Sequence, residues 1–367
     1  MTNAKISSGQ LFMLMVIFSM GTAILRPLAI QAGKDSWLAT LLGAIGGMII
    51  LWVYTTLYRA YPTFSFTGYM VEILGKKTGY FFGLLYTLFF IHGAARDVRE
   101  GGDLIGSTIL ERTPVTIVIF VLIMAASYIL IQGIEVLART AETFFFILIL
   151  LIVVSSVCIC FSEIIDLSRL FPILGSGWTP VIKTTLKQTI EFPYEEFVCF
   201  TMIFPHLKQL KTGIKAGFAA IIISGLLLSY ISAINIVVLG PEIVSHASFP
   251  LLHTISLVDI NNFIQRLDIL AVLLLILSDF FKITIFFYAG VIAATDIFQI
   301  HDYRKVVYPI GIIILLSSKL QSANFAEQIQ EGNILLVTTF FLFGVIIPVF
   351  LVIIHKLQLK YNKIRRS

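Results

Sequence analysis

Two short stretches of this 367-residue chain put helix breakers and polar side chains in the middle of apolar segments long enough to cross a bilayer. The first is Ser19-Met20-Gly21-Thr22-Ala23 and the second is Glu191-Phe192-Pro193-Tyr194-Glu195-Glu196. Irregular backbone at membrane depth persists only where it is buried in protein or lines a cavity. Its freed N–H and C=O groups can then serve a solute. Breaks at matching places in two halves of a chain point to a small-molecule site.

Gly21 follows Gln10 by about 16 Å of helix rise. Unwinding at Gly21–Thr22 predicts a second half-helix from about Ala23, whose N–H groups near Gly21–Ile24 would suit a carboxylate. The competing reading is that Gly21 is a small residue for close helix packing. In the second break Pro193 leaves a carbonyl one turn earlier without its donor, with Glu191, Glu195 and Glu196 around it. An intramembrane carboxylate is a functional hypothesis by default, and Glu195 is the expected partner for an ammonium group or a proton. The competing reading places these glutamates in water at the outer interface.

Two other apolar segments carry ionisable residues. Arg96, Arg99, Glu100 and Asp103 share one helical face and can neutralise one another, as structural pairs or as a gate, with Asp97 beside them and His92 one turn deeper. In Leu277 to Tyr288, Lys282 lies well inside the membrane, and Asp279, three residues earlier, is its expected counter-charge. Thr284, Tyr288 and Thr295 make a polar stripe that should face the bundle. Lys282 either replaces a coupling cation or holds a helix through an ion pair. Arg26 reads as an outer gate or as a snorkelling residue.

The elements that must position these groups are helices. Hydrophobic residues make up 58% of the chain and charged residues 13%, about half the charge of a soluble domain. The apolar runs are continuous for about 20 residues, with no dyad alternation of an outer-membrane barrel. The fold class is therefore an all-α integral membrane protein. Ten spans are predicted, near 10–32, 37–58, 79–105, 114–132, 137–161, 178–204, 215–239, 267–298, 303–320 and 332–357. With the N-terminus inside, inner-side Lys and Arg outnumber outer-side ones roughly two to one. The inner set is Lys5, Arg59, Lys76, Lys77, Arg139, Lys208, Lys211, Lys215, Arg304, Lys305 and the tail from Lys356 to Arg366. The outer set is Lys34, Arg112, Arg169, Lys183, Lys187, Arg266 and Lys319. Both termini are thus expected in the cytoplasm.

Five spans per half would invert the second half relative to the first, making residues 1–367 one domain of two inverted repeats, about 10–161 and 178–320 or 178–357. The first span is expected to remain in the mature protein, since it lacks a cleavage site and is too long for a signal peptide. The basic tail suits anionic lipid better than nucleic acid. Cys158, Cys160 and Cys199 read as small apolar residues. No P-loop, HExxH, Gly-x-Ser-x-Gly or metal-ligand spacing occurs, so no enzyme activity, cofactor or metal is expected.

The chain resembles the B-subunit permease family of endospore germinant receptors, of the amino acid–polyamine–organocation superfamily. The likeness rests on Gly21-Thr22-Ala23-Ile24-Leu25 with Pro27, Ala32-Gly33-Lys34-Asp35-Ser36-Trp37, Arg96-x-x-x-Glu100 before Thr113-Pro114, Phe192-Pro193-Tyr194-Glu195 with Phe204-Pro205, and Phe281-Lys282 with Tyr288. It implies a LeuT-like fold in the spore inner membrane, discontinuous spans 1 and 6, and action with an A subunit and a lipoprotein C subunit. On that reading a small nutrient, an amino acid, would place its carboxylate near Gly21–Ile24 and its amine at Glu195. Thr284 and Tyr288 would line its side-chain pocket, and Asp97 and Val98 would wall it from span 3. A proton-coupled amino acid permease is the alternative.

Overall fold

A computed structural model describes residues 5–190, 192–259, 268–321 and 336–366. Glu191, Arg266, part of the predicted 240–266 loop and the start of the tenth predicted span lie outside the described residues. The first helix, α1 (Ser8–Met20), starts on a capping box: Ser7 Oγ accepts from the Gln10 N–H, and the Gln10 side chain accepts from the Ser7 N–H. It stops at Gly21. Turns follow to Arg26, and only then a short 3-10 turn, Ile30–Asp35, which runs into α2 (Ser36–Ala60).

The half-helix expected from Ala23 does not form. Pro27 keeps Arg26 out of the helical region, so little more than one turn fits between Gly21 and the proline. Ala29 and Gly33 both take positive φ (52° and 61°) as the chain bends back into α2. The second break is more irregular than predicted as well. Helix α7 (Trp178–Thr184), the seventh in chain order, widens into a π turn at Thr185–Thr189. Beyond Phe192–Pro193 the chain continues as 3-10 turns, Glu195–Met202 and Phe204–His206.

Between the breaks run α3 (Phe66–Leu74), α4 (Lys76–Thr108), α5 (Val115–Gln132) and α6 (Ile134–Phe161). After the second break come α8 (Leu210–Leu239), α9 (Pro241–His246), α10 (Pro250–Ser256), α11 (Asp268–Ile297) and α12 (Arg304–Leu320). The last helix, α13 (Ile347–Arg366), is preceded by π turns at Leu336–Phe340 and Leu342–Ile346. Among the described residues seven helices are long and apolar enough to cross a membrane. The predicted spans they do not include are the two broken ones and α12, which has 17 residues. Ten crossings are therefore not established by helix length alone.

Both ends of the described chain lie on one face. Ile6 donates to the His206 carbonyl at 2.8 Å and accepts from the Lys208 N–H at 3.1 Å, and the Lys5 N–H reaches Glu135 at the start of α6. At the other end of the chain, His355 meets Tyr61 and Gln358 donates to the Ile73 carbonyl.

Helix α11 is the central strut. Every residue from Phe281 to Ala294 is buried, and its broadest contact is with α4. By contrast α6 buries one stripe, including Leu137, Ala141, Leu148, Ile152 and Ile159, and leaves Phe146, Leu150 and Val157 outward, as a helix between protein and lipid does. On α2, Gly43, Gly46 and Gly47 form a flat face that receives Thr189, Ile190 and Tyr194. Small residues let the non-helical backbone of the second break approach this closely. A Cβ on Gly47 would sit 2.5 Å from Tyr194 Cγ. Gly47→Leu should therefore cost about 1–3 kcal/mol of stability, read as an earlier thermal unfolding in detergent, whereas Gly9→Leu on the exposed side of α1 should leave the melting temperature near wild type.

Candidate functional site

The two breaks meet on one side chain. Lys282, fully buried on α11, donates from Nζ to Thr22 Oγ1 of the first break. The same ammonium lies 2.6 Å from Glu196 Oε2 of the second break and 3.9 Å from Asp97 Oδ1 on α4. Phe192 and Phe18 cover it, with ring centroids 4.9 and 5.6 Å away. Gly21 touches the lysine stem: a Cβ there would lie 2.6 Å from Lys282 Cδ and 2.9 Å from its Cβ. Close packing is thus what Gly21 does in this arrangement.

Three expectations change here. Lys282 takes its counter-charges from Glu196 and Asp97, not from Asp279, because its side chain points to the breaks while Asp279 lies against Gly101 of α4. The second-break carboxylate beside the Lys282 ammonium is that of Glu196. The 3-10 geometry turns successive residues about 120° apart, so the adjacent Glu195 faces another way: Tyr54 Oη lies 2.9 Å from its carbonyl, and Gly344 packs on its Cβ. Both glutamates are buried, at 0 and 1% exposure, so the reading that puts them in interfacial water does not hold. Third, the α4 charges do not pair only among themselves. Arg99 does pair with Asp103, at 3.1 Å, but Glu100 is held by Arg26 through two parallel hydrogen bonds of 2.7 Å, a fork geometry that fixes both groups.

Arg96 is buried with its guanidinium 5.7 Å from the Phe340 ring centroid, and His92 contacts Gln321. Asp97 Oδ2 and Asp279 Oδ1 are buried and make no hydrogen bond to the described residues. Ala23, Ile24 and Val98 are buried in the core. Within the first break the N–H groups of Gly21, Ile24 and Leu25 are used by backbone carbonyls, which leaves those of Thr22 and Ala23 without a backbone acceptor among the described residues. Pro193 follows a cis peptide bond. Thr284 donates to the Phe280 carbonyl of its own helix, at 2.7 Å, and Tyr288 lies toward the terminus-bearing face, 3.1 Å from His206 Nε2. These two do not join the Lys282 cluster. Of the cluster members, Phe18 is not named from sequence, and Glu196 and Phe192 are named there only as parts of the second break. Among the described residues no group of three His, Cys, Asp or Glu is placed to hold a metal ion.

The fold is similar to that of a nucleobase-cation-symport-1 family transporter, Mhp1, solved in a closed conformation with bromovinylhydantoin bound, at a TM-score of 0.69 and 12% identity over 93% of this chain and 79% of that one. By sequence, the family described as spore germination protein, or spore permease, matches residues 5–326. The chain belongs to that family. It is 37% identical to spore germination protein KB of Bacillus subtilis (strain 168), over 96% of this chain and 95% of that protein. It is 23% identical to spore germination protein YndE of the same organism, over 98% and 99%. The family and the seven apolar helices make this a multi-pass membrane protein of a permease type.

The Lys282 cluster makes an energetic prediction. Removing one partner of a buried ion pair strands the other charge, at a cost of about 3–5 kcal/mol. Lys282→Met should destabilise the protein on that scale, and adding Glu196→Gln should recover part of the loss. A double-mutant cycle on thermal or denaturant unfolding reads the coupling directly; additive losses would show that the two side chains do not hold each other.

Proposed function

We propose that this chain is the nutrient-binding subunit of a spore germinant receptor, recognising an amino acid at the meeting point of the two breaks. The observation that carries this reading is Lys282 bridging Thr22, Glu196 and Asp97. The ammonium of a free amino acid is chemically the same group as the lysine head, so a nutrient can take over Glu196 and Asp97 and release Lys282. Its carboxylate would turn to the Thr22 and Ala23 N–H groups, as anions do at exposed backbone donors. The acceptors Asp97 Oδ2 and Asp279 Oδ1 lie in the same buried neighbourhood. Arg26–Glu100 would close the site on the other side.

The family match and the transporter-like fold support ten crossings in two inverted sets of five, with both termini in the cytoplasm of the spore inner membrane. Since the two described ends share a face, an even number of crossings fits. Binding would shift the balance between two packings of the broken spans, and an A subunit and a lipoprotein C subunit would relay the change. The transporter fold also favours a second reading, a proton-coupled amino acid permease, in which the same exchange at Glu196 moves the substrate across.

Spores carrying Gly21→Leu, which pushes on Lys282, should lose the nutrient response while the protein remains inserted. Glu196→Gln should weaken the response to amine-bearing nutrients far more than to sugars; equal losses for both would contradict an amine contact. Uptake of the active amino acid into proteoliposomes, driven by a pH gradient, would favour the permease over the sensor.

A further inference from the structure

On the terminus-bearing face a cavity of about 370 Å³ opens between the end of α11, the turn after the second break and the α2–α3 connection. It is separate from the Lys282 cluster: Tyr288, its innermost α11 residue, is six residues beyond Lys282, about 9 Å of helix rise. We propose that this cavity is a second binding site, for a small organic ammonium ion.

Among the described residues that line the cavity, Asp296 is the one carboxylate, and none is a lysine or arginine. Its Oδ2 accepts from Ser65 Oγ and, at 2.6 Å, from Thr67 Oγ1. These hydroxyls fix the carboxylate, and Oδ1 has no hydrogen-bond partner among the described residues. Aromatic rings stand beside it. Tyr288 and Tyr303 have centroids 6.5 Å apart and planes at 75°, and Tyr288 and His206 are 6.5 Å apart at 65°. All three residues line the cavity with Asp296, and aromatic rings beside a carboxylate attract a cation through ring quadrupole and charge together. Met202, Ile134 and Ile292 supply apolar wall, which suits N-alkyl groups and not a bare metal ion. The lining histidines are His301 and His206, the latter engaged by the Tyr288 hydroxyl.

Binding of radiolabelled choline to the purified full chain in lipid nanodiscs tests this, with 3,3-dimethylbutan-1-ol as the uncharged isostere. Saturable binding, competed by tetramethylammonium but not by the isostere, is expected. Asp296→Asn keeps an acceptor for Ser65 and Thr67, yet should weaken binding by about tenfold or more. Tyr303→Leu should weaken it comparably and Tyr303→Phe should not, because the ring face remains. Asp166→Asn, which removes a half-exposed carboxylate outside the cavity, should leave choline affinity unchanged. Four results would overturn the proposal: no saturable binding up to about 10 mM, equal competition by the isostere, wild-type affinity in Asp296→Asn, or an equal loss in Asp166→Asn, which would make the effect one of overall charge. Melting temperatures of all variants separate lost binding from lost fold.

Discussion

A lysine ammonium buried at the middle of a membrane bundle must be surrounded by acceptors, since the cost of an unpaired charge there is several kcal/mol. Lys282 meets that constraint through Thr22, Glu196 and Asp97, which come from three different elements. Two of these elements have no regular helix to hold them in place. The ion cluster therefore does for the broken spans what a hydrogen-bond ladder does for a continuous helix: it fixes where they stop and how they face each other.

The rest of the bundle can be understood as support for this junction. Helix α11 is buried along the whole stretch from Phe281 to Ala294, so the lysine is mounted on a helix packed on every side. Gly21 lets the first break lie on the lysine stem, and Gly43, Gly46 and Gly47 let the second lie flat on α2. Tyr54 Oη sits within hydrogen-bond distance of the carbonyls of Glu195 and Gly344, and Tyr86 donates to the Phe343 carbonyl. The two tyrosines engage carbonyls in the second break and in the π turns before α13, where the regular ladder is interrupted. Arg26–Glu100 then ties the far end of the first break to α4. A junction held by charge can be opened by a ligand carrying the same charge, and this would link the packing to the nutrient sensing proposed above.

The helical membrane class, the two break positions and the central place of Lys282 were legible in the sequence because hydropathy, Pro193, Gly21 and an intramembrane charge are local signals. The partners were not. Asp279 is near Lys282 along the chain, but which way a side chain points across a bundle depends on packing between α4 and α11 that no spacing encodes. Glu195 and Glu196 are adjacent, and choosing between them needs the twist of a 3-10 segment that follows an irregular break. The half-helix expected from Ala23 does not form because Pro27 disfavours helical backbone at Arg26, a local signal that competes with the apolar run around it. The cavity at Asp296 was missed for a related reason: Ser65, His206, Asp296 and Tyr303 are far apart in sequence, and only Tyr288 and Thr295, on the polar stripe, hinted at it.

The central claim is that the Lys282 ammonium holds the first break against α4 and α11. Spin labels at Gln31→Cys, just beyond the first break, and Ser107→Cys, at the end of α4, allow the distance between them to be measured by pulsed electron resonance in nanodiscs. With Lys282 present a single narrow distribution is predicted, and Lys282→Met should broaden or lengthen it. An unchanged narrow distribution in Lys282→Met would contradict the claim, because the break would then be held by packing alone.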